Sequence, residues 1–236
     1  MNRAKDVPDR IRSFWDEKAK EDPYWYVSSY GKYGSTRDLK DFWASGHRIW
    51  RDLKDAVGYS PRPTDEVVEI GCGVGRLTRA IAPEVGHVQA FDISDEMLNI
   101  ARQAGLSNVT FRIAEGFNLA PLKDGSADLV LGYCVFQHLP SVAALKEYVS
   151  EMVRVAKHRA AVAFTLTPRE WRYYLFPLLR LRAYLREQAT HQGAKGIYRR
   201  EWVGIRPSQN AVHQISPIPL TATTLHGDTW LFYGRR

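Results

Sequence analysis

Cysteine is almost missing from this 236-residue chain: Cys72 and Cys134 are the only two. Both sit in apolar, strand-like surroundings, which argues against a disulfide framework or a zinc site. No apolar run approaches the roughly 18–20 residues needed to cross a bilayer. Residues 1–16 mix charges throughout and lack the apolar stretch of a secretory signal. There is no internal repeat, no low-complexity tract and no G-K-[ST] phosphate loop. These absences lead us to expect a cytoplasmic globular protein without stable membrane insertion. A length of 236 residues allows one domain with elaborations and a full core.

The middle of the chain is poor in aromatics. Seven of them fall in residues 67–166, against eleven before and ten after, and all seven tryptophans lie outside it. Charge is also uneven. The net charge of +7 comes from residues 167–236, which hold 11 basic and 4 acidic side chains. A basic segment this local suits an acidic small molecule, a membrane surface or a solvated helix face better than general nucleic-acid binding.

The middle alternates short apolar runs with helical patterns. Val67–Ile70, His87–Phe91, Val109–Ile113, Asp128–Gly132 and Ala160–Leu166 read as strands. Helices are expected from Arg76, from the Ser94 cap to about Ala104, and from the Ser141 cap to about Ala156. Such alternation predicts an α/β fold with a Rossmann-like, doubly wound sheet. Leu220–His226 and Thr229–Tyr233 read as a hairpin closed by Gly227-Asp228, which gives that sheet an antiparallel last strand.

The densest motif is Glu69-Ile70-Gly71-Cys72-Gly73-Val74-Gly75-Arg76. Three alternate glycines after a buried strand let backbone pass close under a ligand. A dinucleotide turn would place a third glycine at position 76, where this chain has arginine. Asp92 ends the second strand, where a carboxylate can accept from ribose hydroxyls.

Taken in order, these elements resemble the class I S-adenosylmethionine-dependent methyltransferases, over about residues 64–166 and 202–236. Glu69–Gly75 is similar to their first motif, and Asp92-Ile93-Ser94 with Met97 to their ribose-binding strand end. Ala114-Glu115-Gly116-Phe117 sits at their adenine segment, although Glu115 and Gly116 replace the usual aspartate and alanine. Val135–Leu139 resembles the family's segment beside the transferred methyl, Tyr133 and Cys134 would lie near the sulfonium, and the tail is similar to the family's sixth and seventh strands. The strand-five entry lacks the common Pro-Gly-Gly turn. The resemblance implies a seven-stranded sheet and S-adenosylmethionine as cofactor. Its implied contacts are Glu69, Gly71, Cys72, Gly73, Gly75, Asp92, Ile93, Met97, Glu115, Gly116, Phe117, Tyr133 and Cys134.

His138 follows strand four on the side where the methyl would emerge, and its ordinary pKa suits a general base. The opposing reading is a hydrogen-bonding scaffold residue. The chain lacks the [D/N/S]-P-P-[Y/F] of amino-methylating nucleic-acid enzymes, a paired cysteine motif and a magnesium-binding acidic cluster. The expected acceptor is therefore a small or medium molecule such as a sugar or secondary metabolite, methylated at oxygen in preference to nitrogen. No nucleic-acid or metal partner is expected, and the protein is expected to be a monomer or homodimer. The other readings are a protein or peptide N-methyltransferase and a non-catalytic cofactor-binding scaffold. Residues 1–63 are expected to form a helical cap on a domain spanning 64–236. Tyr24, Trp25, Tyr26 and Trp43 would supply acceptor contacts from that cap. Trp171 and Arg172 would supply them from a helical insertion over about 168–200, whose basic face would cover the site or lie on a membrane.

Overall fold

The structure is a computed structural model that describes residues 6–28, 39–167, 181, 185, 204–225 and 229–236. The insertion region therefore lies almost wholly outside the described residues, and with it Trp171 and Arg172. Of it, only Leu181 and Leu185 are described, both helical and exposed.

Seven strands form one sheet in the order β3-β2-β1-β4-β5-β7-β6. They are β1 (Glu66–Ile70), β2 (His87–Asp92), β3 (Val109–Ile113), β4 (Ala127–Gly132), β5 (Ala156–Leu166), β6 (Thr221–Thr224) and β7 (Trp230–Arg235). The first five pair in parallel, and β7 runs antiparallel between β5 and β6. The expected doubly wound sheet with an antiparallel last strand is thus present. Strand β5 begins at Ala156, directly after a helix and four residues before the expected start. Ala156 pairs with Ala127, and the register then shifts to Leu129 opposite Ala161.

The sheet separates two apolar layers, because successive side chains on a strand face opposite ways. Val68, Ile70, Val130, Val162, Phe164 and Phe232 face α6 (Val142–Val155), which contributes Leu145, Val149 and Met152. Val67, Leu129, Leu131, Ala161, Ala163 and Leu231 face the other way, toward Ile49, Trp50, Leu53 and Val57. Those four come from α3 (Leu39–Val57). This helix is thus one layer of the sandwich, although it precedes the first strand in sequence.

Two further helices, α1 (Asp6–Glu21) and α2 (Pro23–Ser28), precede α3. The buried Lys18 links them, donating to Glu17 and Glu21 at 3.1 and 2.7 Å while Tyr26 Oη donates to Glu21 at 3.1 Å. Ser94 and Ser141 cap α5 (Asp95–Arg102) and α6 as expected, accepting from Met97 N and Ala144 N. The helix expected from Arg76 is short: α4 covers Thr78–Ile81, then Pro83 lies in a 3-10 turn. A seven-residue helix, α7 (Gln209–Ile215) capped by Ser208, buries Val212 and was not anticipated. It is too short to show a helical repeat in sequence.

Candidate active site

A cleft opens at the carboxyl ends of β1, β2 and β4, where ligands bind in open α/β sheets. Its floor is the glycine turn. Gly71, Gly73 and Gly75 have φ of 70°, 55° and 81°, values that side chains disfavour. Space is as tight as the torsions. A Cβ on Gly71 would come within 2.1 Å of Val135 Cγ2, and one on Gly73 within 2.8 Å of Val27 Cγ2. The N–H groups of Gly71 and Cys72 both donate to Phe91 O, at 2.7 and 2.9 Å. The positive-φ backbone makes this floor, and a helix N-terminus does not, because α4 starts only at Thr78 and has four residues.

Asp92 organises the next wall. One carboxylate oxygen accepts from Gly73 N at 2.7 Å and the other from Ser94 N at 2.9 Å. Each oxygen keeps a further lone pair. Burial raises its pKa to about 6, partly offset by those backbone donors. Burial likewise raises Glu69 to about 7, against the Thr78 hydroxyl that donates to it at 2.6 Å. Burial also pushes both thiols, Cys72 and Cys134, upward. Thiols held protonated are poor nucleophiles.

Of the sequence-predicted residues, Glu69, Gly71, Cys72, Gly73, Asp92, Ile93, Met97, Phe117, Tyr133, Cys134, His138 and Tyr26 all line this one cleft. Others do not. Gly75 backs onto Ala101 of α5. Glu115 is exposed, because Ala114 takes the buried position after β3 and its N–H is tied to Asp92 O at 2.8 Å. Gly116 faces α6, its carbonyl accepting from Tyr148 Oη at 3.0 Å. Tyr24 and Trp43 pack with Phe42 behind the wall, and Trp25 packs edge-on to Tyr26.

The far wall holds what sequence reasoning missed. Ile11 and Trp15 of α1 line the cleft, as do Arg76 and Tyr148. The next stripe of α1 is polar, with Arg12, Asp16 and Lys20 at successive i, i+4 positions. Arg12 donates to Ile93 O and Ala114 O, at 3.2 and 3.4 Å. Asp16 accepts from Ser94 Oγ at 2.6 Å and Glu96 N at 3.4 Å, and Lys20 pairs with Glu96 at 3.0 Å. The i, i+4 stripe was visible in sequence, but its partners lie about 80 residues away.

The chain leaves β4 through Cys134, whose φ of 57° is unusual for a residue with a side chain. Buried Thr165 of β5 holds it there, accepting from Cys134 N at 2.7 Å. A 3-10 turn, Phe136–His138, follows. It presents the half-buried His138 ring to the edge of Trp15, with centroids 5.1 Å apart. Gln137 O in the same turn accepts from Ile205 N at 2.9 Å and Arg206 Nη1 at 3.1 Å.

These features fit a nucleoside bound through its sugar and amino-acid ends. Asp92 offers lone pairs for ribose hydroxyls. Ile93, Met97, Ala114 and Phe117 form an apolar slot for a flat base, and the glycine floor admits a close-lying chain. Fold and site together define a Rossmann-like α/β protein that binds a nucleoside cofactor.

Known proteins narrow the class. Residues 68–164 match the family described as a methyltransferase domain. A ubiquinone biosynthesis O-methyltransferase of Methylococcus capsulatus is 30% identical over 180 residues, 68% of this chain and 74% of that protein. One of Hahella chejuensis is 29% identical over 140 residues, 57% of this chain and 58% of its own. Among solved structures, magnesium protoporphyrin IX methyltransferase from Synechocystis has a TM-score of 0.62 at 16% identity, covering 98% of this chain and 99% of that one. A methyltransferase from Aquifex aeolicus has a TM-score of 0.52 at 20% identity, with 96% of each chain covered. The chain belongs to the class I S-adenosylmethionine-dependent methyltransferases, and S-adenosylmethionine is its cofactor. No described helix is long and apolar enough to cross a membrane. Among the described residues, no cluster of three or more His, Cys, Asp or Glu is placed to hold a metal ion.

Proposed function

We propose that this methyltransferase O-methylates a small molecule, with His138 as the base that receives the acceptor's proton. The observation that carries the reading is the place of His138. It lines the same cleft as Asp92 and the glycine floor, on the β4 exit beside Tyr133 and Cys134. The relatives named as O-methyltransferases of ubiquinone biosynthesis support oxygen over nitrogen.

S-adenosylmethionine supplies a methyl group on a sulfonium, already activated for displacement. The protein's task is therefore position and deprotonation. Asp92 would hold the ribose, while Ile93, Met97, Ala114 and Phe117 would enclose the base. Glu69, Gly71, Cys72 and Gly73 would shape the floor under the methionyl chain, with Gly75 completing the turn behind it, and Tyr133 and Cys134 would lie near the sulfur. Trp15 packs edge-on against the His138 ring, and His138 would take the hydroxyl proton as the acceptor oxygen bonds the methyl carbon and the methyl–sulfur bond breaks, its electron pair staying on sulfur. Tyr26 and Trp15 wall the acceptor, while Tyr24, Trp25 and Trp43 hold that wall from behind. Trp171 and Arg172, outside the described residues, are proposed to complete the acceptor side.

The test is methyl transfer from labelled cofactor to a panel of hydroxylated sugars and aromatic metabolites, with wild type and His138→Ala. The variant is expected to lose about 100-fold in kcat, with S-adenosylhomocysteine affinity unchanged. Full turnover in His138→Ala would overturn the base assignment.

A further inference from the structure

The turn that leaves β4 brings Tyr133, Cys134, Val135, His138 and Leu139 into the cleft. Residues outside the cleft decide where that turn lies. The parallel ladder ends where Gly132 pairs with Phe164 of β5. The next β5 residue, Thr165, meets the departing chain with its side chain instead of its backbone, Oγ1 accepting from Cys134 N at 2.7 Å. Thr165 is fully buried and does not line the cleft. Cys134 stands at a φ of 57°, which a residue with a side chain keeps only where its surroundings over-determine it.

A second hold lies three residues on. Gln137 O accepts from Ile205 N at 2.9 Å and from Arg206 Nη1 at 3.1 Å. Gly204, at a φ of 52°, lets this segment lie flat on the turn, since a Cβ there would overlap Gln137 O and His138 Cα. On the inner side, Gly71 leaves the room that Val135 fills. The turn is therefore held at Cys134 and at Gln137, the residue just before His138.

The first hold depends on one oxygen. Valine at 165 would have a similar shape, but only the hydroxyl accepts a hydrogen bond. A buried N–H left without an acceptor is costly, so Cys134 would turn toward another partner and carry the turn with it. In-line displacement is sensitive to such a shift, because a misplacement of about 1 Å can cost about 100-fold in rate. We infer that Thr165 and the segment Gly204–Arg206 are positioning residues for methyl transfer. They act through backbone atoms of the turn and set the acceptor-side wall and the His138 ring against the cofactor. The inference rests on the proposed role of His138 for its catalytic meaning and not for its geometry.

Proton NMR of the full chain saturated with S-adenosylhomocysteine tests it without an acceptor. The ring signal of His138 is assigned by its absence in His138→Ala. The Trp15 ring, with its centroid 5.1 Å away, makes that signal sensitive to where the turn lies. Thr165→Val is expected to move the signal and weaken its cross-peak to Trp15, with S-adenosylhomocysteine affinity unchanged by calorimetry. Thr165→Ser, which keeps the oxygen, is expected to restore the wild-type signal. With an acceptor from the panel above, Thr165→Val is expected to lose about 10-fold in kcat, with KM for S-adenosylmethionine unchanged. Arg206→Met, at the second hold, is expected to move the same signal, and it decides the matter if Thr165→Val does not fold.

An unmoved signal overturns the inference, since the turn then holds itself. Equal displacement in Thr165→Ser also overturns it, because packing and not the oxygen is then the cause. A moved signal with unchanged kcat defeats the positioning role. Loss of S-adenosylhomocysteine affinity in Thr165→Val does so too, since the residue then supports the cleft as a whole. Full turnover in His138→Ala removes the base reading alone, and the signal still judges the two holds.

Discussion

The two sides of the cleft are built differently. The sheet side is made of backbone: positive-φ glycines, carbonyls of β2, and one carboxylate that ties two loops together. The helical side is made of side chains that reach across the chain, from Arg12 to Ile93 and from Asp16 to Ser94. A backbone surface cannot absorb added atoms. A side-chain surface can lose atoms and still close. Substitutions should therefore do most harm on the sheet side when they add bulk, and milder, kinetic harm on the helical side when they remove it.

The largest effect is expected for Gly71→Ala. Its methyl would overlap Val135 at a φ of 70°, and the chain should lose about 2–4 kcal/mol of stability. Chemical denaturation measures this, and a loss under about 1 kcal/mol would break the contrast. Next is Asp92→Ala, expected to cost about 100-fold in S-adenosylhomocysteine affinity. Calorimetry checks it, and unchanged binding would remove Asp92 from the ribose site.

The same carboxyl gives a pH signature. With Asp92 at about 6 and Glu69 at about 7, both above the ordinary carboxylate range, the folded state binds more protons than the unfolded chain between about pH 4 and 7. These groups therefore lower apo stability as pH rises through that window. Ligand affinity should run the opposite way, falling as pH drops through 6 and Asp92 loses acceptor capacity. Asp92→Asn should flatten the affinity profile near pH 6.

A smaller effect is expected for Asp16→Ala on the helical side. It should raise the dissociation rate of S-adenosylhomocysteine about 5- to 10-fold with little change in melting temperature, because α1 keeps its apolar contacts. Stopped-flow displacement reads this. Smallest is Tyr148→Phe, which removes only the bond to Gly116 O and should cost about 1 kcal/mol.

The same division decides what could be read from the sequence. The strands, apart from the early start of β5 and the shorter β6, the Ser94 and Ser141 caps, and the placing of the glycine turn and Asp92 at strand ends are local patterns, and they form where their residues pointed. The expected α4 start failed because the glycine turn extends to Leu77 and Pro83 follows closely. Trp15, Arg12, Asp16 and Tyr148 were not found because their importance lies in partners far away along the chain. Glu115 was matched by position, but the pleat places Ala114 inward. Aromatic richness drew attention to the N-terminal segment, without telling which rings reach the cleft and which only pack.

Asp92 also has a consequence for how such a chain can drift over generations. Most positions are screened either for a stable fold or for a working site. Here the carboxylate that shapes the glycine turn is the one proposed to grip the sugar. Asparagine would set an amide donor against one of two N–H donors, and glutamate would overreach both. Selection therefore meets this codon twice, and the flanks proposed to choose the acceptor can diversify around it.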